Sequence, residues 1–333
     1  MKIVSAWIVC FLCVTSGVTQ TNSSLVLERK IVLNNVKGKL DHFAIDEPGN
    51  RLFVAATANK SVEVVDLTTD KVVESLTGLG KPHGLAWVAA KDRLFVADGD
   101  EASLEVFEGV PLRRVKSIRL SEDADDMVYD PETRMLYVGH GGSDSANPAS
   151  IAVIDVNRLV AVKQLSVAAH PEALELDAKG GRVFVNVSDT GEVVVIDTAT
   201  QTKKETWKLA GVKGNTPLAY DATDDMILVG SRTPAKLIAL SGGGKEIAAI
   251  ASDAGADDLF FEPKTGHAYL ITGSGFVDVY TVARDGRLEA LAKTHTAAGA
   301  KTGLLVPGQD LLYVGVPGVN ASSEIDVYAT SAK

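Results

Sequence analysis

The chain has 333 residues, with 33 Lys and Arg against 43 Asp and Glu, a formal net charge of −10. Apolar residues make up 46% and charged residues 23%, a soluble composition able to bury a large core, which excludes collagen-like, disordered and polytopic membrane chains. The acidic balance also disfavours a nucleic-acid partner, because binding phosphate needs a surplus of Lys and Arg.

In chain order, the first element is a targeting segment. Lys2 precedes an apolar run from Ile3 to Val14, followed by small and polar residues from Thr15 to Gln20. Positive, then apolar, then small is the order of a secretory signal peptide, here residues 1–20, with cleavage expected within 17–22. The run is short for a membrane span, and no later stretch reaches spanning length. An exported protein, periplasmic or extracellular, with no membrane span after signal cleavage is therefore expected. Both cysteines, Cys10 and Cys13, lie in this segment. The mature chain would have no disulfide, no thiol nucleophile and no thiolate metal ligand. Residues 21–27 read as a short linker.

Beyond it a short apolar core recurs: Leu52-Phe53-Val54-Ala55, Leu94-Phe95-Val96-Ala97, Leu136-Tyr137-Val138-Gly139, Val183-Phe184-Val185-Asn186, Ile227-Leu228-Val229-Gly230, Ala268-Tyr269-Leu270-Ile271 and Leu312-Tyr313-Val314-Gly315. These anchors are spaced by 41 to 47 residues, the period of a four-stranded propeller blade. Six residues ahead of five of them stands an acid (Asp46, Asp130, Asp177, Asp221, Glu262) that closes a first strand and opens a turn. After each anchor comes a turn-rich stretch and a β-branched run such as Val62–Asp66 or Val193–Asp197. A fourth alternating strand follows in several repeats, as in Lys71–Leu76. The seventh repeat stops at Tyr328, after its third strand, and the upstream segment Glu28–Asn34 is the donor for the missing fourth. The expected fold is all-β: one seven-bladed propeller over 28–330, closed by the amino-terminal strand, which removes the exposed sheet edges of an open array.

With these repeats the chain resembles the YVTN-repeat, YncE-like β-propellers, a family of exported bacterial and archaeal proteins. The residues that carry the resemblance are Leu136-Tyr137-Val138-Gly139, Val183-Phe184-Val185-Asn186, Val62-Glu63-Val64-Val65-Asp66-Leu67-Thr68-Thr69 and Val193-Val194-Val195-Ile196-Asp197-Thr198-Ala199-Thr200. The resemblance implies the fold across the mature chain. It does not select an activity, since related seven-bladed propellers include lactonases, streptogramin lyases, haem d1-binding proteins and proteins that only bind. Some YncE-like proteins are associated with single-stranded DNA, an association that the acidic balance here does not favour.

In a propeller the loops before the innermost strands converge on one mouth of the central channel. Eleven residues ahead of each anchor lie Asp41, His83, Asp125, Glu172, Thr216, Asp257 and Lys301. The next column is His42, Gly84, Asp126, Ala173, Pro217, Asp258 and Thr302. Asp98, Asp100, His140, Arg232 and the long insertion Gly141–Ser150 fall on the same face, and His170 just precedes Glu172. The expected ligand-binding rim is therefore Asp41, His42, His83, Asp125, Asp126, His140, His170, Glu172, Arg232, Asp257, Asp258 and Lys301. No cofactor is fixed by a motif. A divalent metal is the one group that this rim could hold, through His42, His83, Asp126, His170 and Asp258, since imidazole suits zinc, copper, nickel or iron and carboxylates suit calcium, magnesium or manganese. Arg232 and Lys301 could meet an anion.

The expected function is an exported, monomeric binding protein that recognises a small ligand, metal complex or protein partner at this acidic, histidine-bearing face. The alternatives are a metal-dependent, lactonase-like hydrolase or lyase using the same channel, and a non-catalytic interaction scaffold.

Overall fold

The computed structural model describes residues 25–319 and 321–330, so the targeting segment lies outside the described residues. The anchors do not alternate apolar with polar; they are apolar throughout. That pattern suits strands buried on both faces, and the packing shows why. Leu52 and Val54 pack with Tyr313, Ile325 and Val327 of the last blade. Phe53 and Ala55, pointing the other way along the same strand, pack with Leu94 and Val96 of the next blade. Each anchor strand is thus sandwiched between two neighbouring blades.

Seven four-stranded antiparallel sheets result, six of them simple meanders. The seventh is made from Gly303–Val306, Leu311–Val316 and Glu324–Ala329 with Val26–Val32 as its outer strand. Lys30 pairs with Asp326 and Ile31 with Ile325, so the amino-terminal strand closes the ring, beginning at Val26 rather than Glu28. Ile31 and Leu33 are fully buried there. Among the described residues the helical elements are four short 3-10 turns, and no helix is long and apolar enough to cross a membrane.

The aspartate six residues ahead of four of the anchors is a turn former. Asp46 accepts a hydrogen bond from the Gly49 amide at 3.2 Å and from Arg51 Nε at 2.9 Å. Asp177 repeats this with Gly180 and Arg182, at 2.8 Å each. Asp130 and Asp221 instead take the amides of Glu132 and Thr223 at 2.9 and 2.8 Å. In these four cases the short side chain satisfies an amide that the turn leaves without a ladder partner, whereas Glu262 accepts from the hydroxyls of Thr265 and Tyr269 at 2.9 and 3.3 Å.

The innermost strands are Phe43–Asp46, Pro82–Val88, Met127–Asp130, Pro171–Asp177, Lys213–Asp221, Ala256–Glu262 and Gly303–Val306. They line the central channel and carry the charged columns to its mouth. The segment read as an inserted loop, Gly141–Ser150, is mostly ladder: strands Met135–Ser143 and Pro148–Asp155 extend past the blade, and Asp144 caps the turn by accepting the amides of Ala146 and Asn147 at 2.8 Å.

Candidate functional site

The channel mouth holds a cavity of about 140 Å³ lined by Lys39, Asp41, His42, His83, Asp125, Asp126, Glu172, Thr216, Arg232, Asp257 and Lys301. All seven residues of the eleven-before-anchor column reach it. A second cavity of about 220 Å³ continues down the channel, walled by apolar side chains such as Leu85, Met127, Leu218 and Leu259, with Glu175 and Asp258 among them. His42 and Asp126 line both, so they mark the waist between the polar mouth and the apolar interior.

Asp125 is the centre of the mouth. His170 Nε2 lies 3.4 Å from its Oδ2, and His83 Nδ1 and His42 Nε2 lie 3.7 and 3.8 Å from its Oδ1. Oδ1 is buried without a hydrogen-bond partner. Burial works against the Asp125 charge, but the His170 hydrogen bond and the neighbouring rings hold its pKa down to about 2. Burial likewise opposes the charge on His170, yet Asp125 and the Gly141 carbonyl raise its pKa to about 9. His42 is raised to about 10: burial lowers it, and the surrounding Asp258, Asp126, Asp41 and Asp125 outweigh that. His42 is thus an internal cation in a ring of acids.

The other charges at the mouth are largely paired with each other. Asp41 accepts a hydrogen bond from His83 Nδ1 at 2.7 Å, and Lys39 Nζ lies 2.6 Å away. Burial would raise its pKa, but His83, His42 and Lys39 hold it well below the usual carboxylate range. Asp257 takes both Arg232 and Lys301. The two cations expected to meet an anion are therefore already bound to a carboxylate.

Two rim acids serve as stitches between blades. Asp126 Oδ2 accepts the Leu174 amide at 2.9 Å, and Asp258 Oδ2 accepts the Gly303 amide at 2.7 Å. The second oxygen of Asp258 faces His42, with Oδ1 at 3.5 Å from Nδ1. Burial raises Asp126 despite His42, and burial with the nearby Asp257 charge raises Asp258 to about 7. Asp98 is committed in the same way to the amides of Gly80 and Lys81. His140 stands outside the cavity. Its Nδ1 accepts from the Ser121 amide at 3.2 Å and its Nε2 donates to Gln164 at 2.9 Å. Burial lowers its pKa, so it is a neutral structural ring.

Four of the five expected metal ligands, His83, Asp126, His170 and Asp258, thus already hold a protein hydrogen bond. Among the described residues, the grouping whose donor atoms come together is Asp125, His170 and Glu172, all within 4.8 Å of one another. Two functional candidates were missed from the sequence, Lys39 at the mouth and Glu175 in the channel. Glu175 is raised to about 8 by burial, then by the charge of Asp126. Its signal was present. Eight residues ahead of the anchors, the column reads Ala44, Ala86, Val128, Glu175, Ala219, Phe260 and Leu304, and the one acid in an apolar column marks a buried charge.

Solved structures share this architecture. A chain of the Kuenenia stuttgartiensis hydrazine synthase matches with a TM-score of 0.73 at 20% identity, over 84% of this chain and 94% of that one. A chain of a mitotic checkpoint complex matches with a TM-score of 0.78 at 12% identity, over 100% of this chain and 99% of that one. At these identities the likeness establishes the seven-bladed, WD40-like propeller fold alone, which is compatible with binding a small ligand or a protein. No family model matches the chain, and no curated protein matches it.

Proposed function

We propose that this chain is an exported binding protein of the YVTN-repeat, YncE-like kind, and that its small ligand or metal complex seats at the channel mouth. The observation that carries this is the convergence of three histidines on Asp125, with His170 on Oδ2 at 3.4 Å and with His83 and His42 at 3.7 and 3.8 Å from Oδ1, an oxygen with no hydrogen-bond partner of its own. A buried polar atom left unsatisfied calls for an explanation, and a ligand seated in the cavity beside it supplies one. A concave site with convergent polar groups is also where propellers and other folds take small molecules. Export is supported by Lys2 and the Ile3–Val14 run, and the family by the quoted repeat motifs.

The test is native mass spectrometry of the protein purified from its own cells, with Asp125→Asn beside it. A non-covalent adduct on the wild type that is lost from the folded variant supports the assignment. An adduct retained by the variant places the ligand elsewhere. Edman sequencing of the same material should start within 18–23 if the segment is removed as expected.

A second function is favoured by one specific feature. Asp258 and Glu175 sit beneath the mouth with pKa values pushed to about 7 and about 8 by burial, where a general acid or base works best. A lactone-opening hydrolase or a lyase would use them. Turnover of a lactone panel that disappears in Asp258→Asn would establish it, and absence of turnover across the panel would remove it.

A further inference from the structure

We propose that Asp125, His170 and Glu172 form a binding site for one divalent transition-metal ion of the zinc type, open on the side of the channel mouth. This deepens the binding function above and rests on the mouth being the ligand seat.

The donor geometry is the first argument. Zinc holds nitrogen and oxygen ligands at about 2.0–2.2 Å, so donors sharing one ion stand about 3.4 Å apart in a tetrahedron and never more than about 4.2 Å. His170 Nε2 and Asp125 Oδ2 are 3.4 Å apart, long for a charged hydrogen bond and right for two donors of one ion. Glu172 offers an oxygen within 4.8 Å of both, the third donor of the group.

The second argument is the outer layer. Metal-bound histidines nearly always donate their other ring N–H to a carbonyl or carboxylate, which fixes the tautomer. His170 Nδ1 donates to the Gly141 carbonyl at 2.7 Å, leaving Nε2 as the atom aimed at Asp125. Gly141 has φ +81° and its hydrogen lies where a Cβ would be 2.3 Å from the Pro148 carbonyl, so only glycine presents its carbonyl there. Glu172 Oε1 accepts from Ser188 Oγ at 3.1 Å, which orients the second ligand. Asp125 is pinned by its amide on the Gly139 carbonyl at 2.9 Å.

The third argument is charge. Lys39 sits on Asp41, and Arg232 and Lys301 sit on Asp257. Among the described residues these lysine and arginine charges are paired with acids outside the triad, so the groups facing Asp125 are the rings of His42, His83 and His170, and His170 releases its Nε2 proton when an ion takes its place. One imidazole and two carboxylates also match the borderline character of zinc, and three protein ligands leave a position open toward the cavity, as in sites that take water or a ligand as the fourth group.

The experiment titrates chelator-treated mature protein with Zn²⁺ by calorimetry and with Co²⁺ by visible absorption. The expected result is one ion per chain, a low-coordinate cobalt spectrum and a melting temperature that rises with added Zn²⁺. Glu172→Gln should abolish stoichiometric binding, and Ser188→Ala should weaken it by about ten- to a hundredfold. Because His170→Ala could perturb folding, circular dichroism accompanies every variant, and Ser188→Ala carries the test if the others unfold. Absence of 1:1 binding to the wild type, or binding indifferent to Glu172→Gln and Ser188→Ala, overturns the metal site. If the native adduct still depends on Asp125 in that case, the mouth remains the ligand seat. If that adduct is also indifferent to Asp125, both proposals fall together.

Discussion

Gly84 lies in the charged column next to His83, and the structure says why it is glycine. A Cβ there would stand 2.2 Å from the Asp125 carbonyl oxygen, 2.9 Å from its carbon and 3.0 Å from the Asp126 Cα. These are backbone atoms, so no flexible side chain can move aside. To reach ordinary contact, the second and third blades must part by about 1 Å at the mouth, and overpacking of this kind costs about 1–3 kcal/mol. The same displacement carries the Asp125 carboxylate away from His42 and His83, which now sit 3.7–3.8 Å from Oδ1. A site displaced by about 1 Å loses much of its function even where the fold survives. Gly84→Ala should therefore lower urea stability by about 1–3 kcal/mol and weaken ligand or Zn²⁺ binding by at least about tenfold. Gly99→Ala is the matched control, since its Cβ would meet neighbours only at 3.4–3.5 Å, an ordinary contact. If Gly84→Ala matches the wild type in urea midpoint and in binding, the packing of the mouth is not what positions Asp125.

Phe53→Ala removes a fully buried ring between the first two blades and should cost about 3–5 kcal/mol in urea unfolding. His140→Ala removes a buried ring and leaves the half-buried Ser121 amide without its acceptor, while exposed Gln164 turns to water, so it should cost about 1–3 kcal/mol while leaving binding at the mouth unchanged. Loss of binding would place His140 in the site. Glu175 titrates near 4.5 when unfolded and at about 8 when folded, so the native state holds a proton that the unfolded chain has lost. The wild type should lose stability as pH rises across that window, and Glu175→Gln should flatten the slope in urea titrations at pH 5, 7 and 8.5. An unchanged slope would mean that Glu175 is solvated.

The fold was legible because each blade must bury both faces of its second strand, which writes an apolar four-residue signature at every period. Phe53, Tyr137 and Tyr313 are fully buried in those signatures. The mouth was legible as columns, because the residue at or near the start of each innermost strand reaches the cavity wherever the blade repeats. Pairing within the columns was not. Nothing in the sequence says that Arg232 and Lys301 share Asp257, or that Asp126 and Asp258 spend one oxygen on a neighbouring blade, since those contacts join residues tens of positions apart. His140 sits on the same face as His170, yet its ring turns into the blade toward Gln164. Ser188 lies in a 3-10 turn outside the columns, so its role beside Glu172 leaves no trace in the repeat. Lys39 lies two residues before its column and was passed over for the same reason.

The most direct measurement is a crystal structure of the mature protein purified from its own cells without chelator, with anomalous data at the zinc edge. Non-protein density bounded by Asp125, His42, His83 and His170 is the predicted result, with an anomalous peak between Asp125, His170 and Glu172. A mouth holding only ordered water, with a ligand bound elsewhere on the ring, would contradict it.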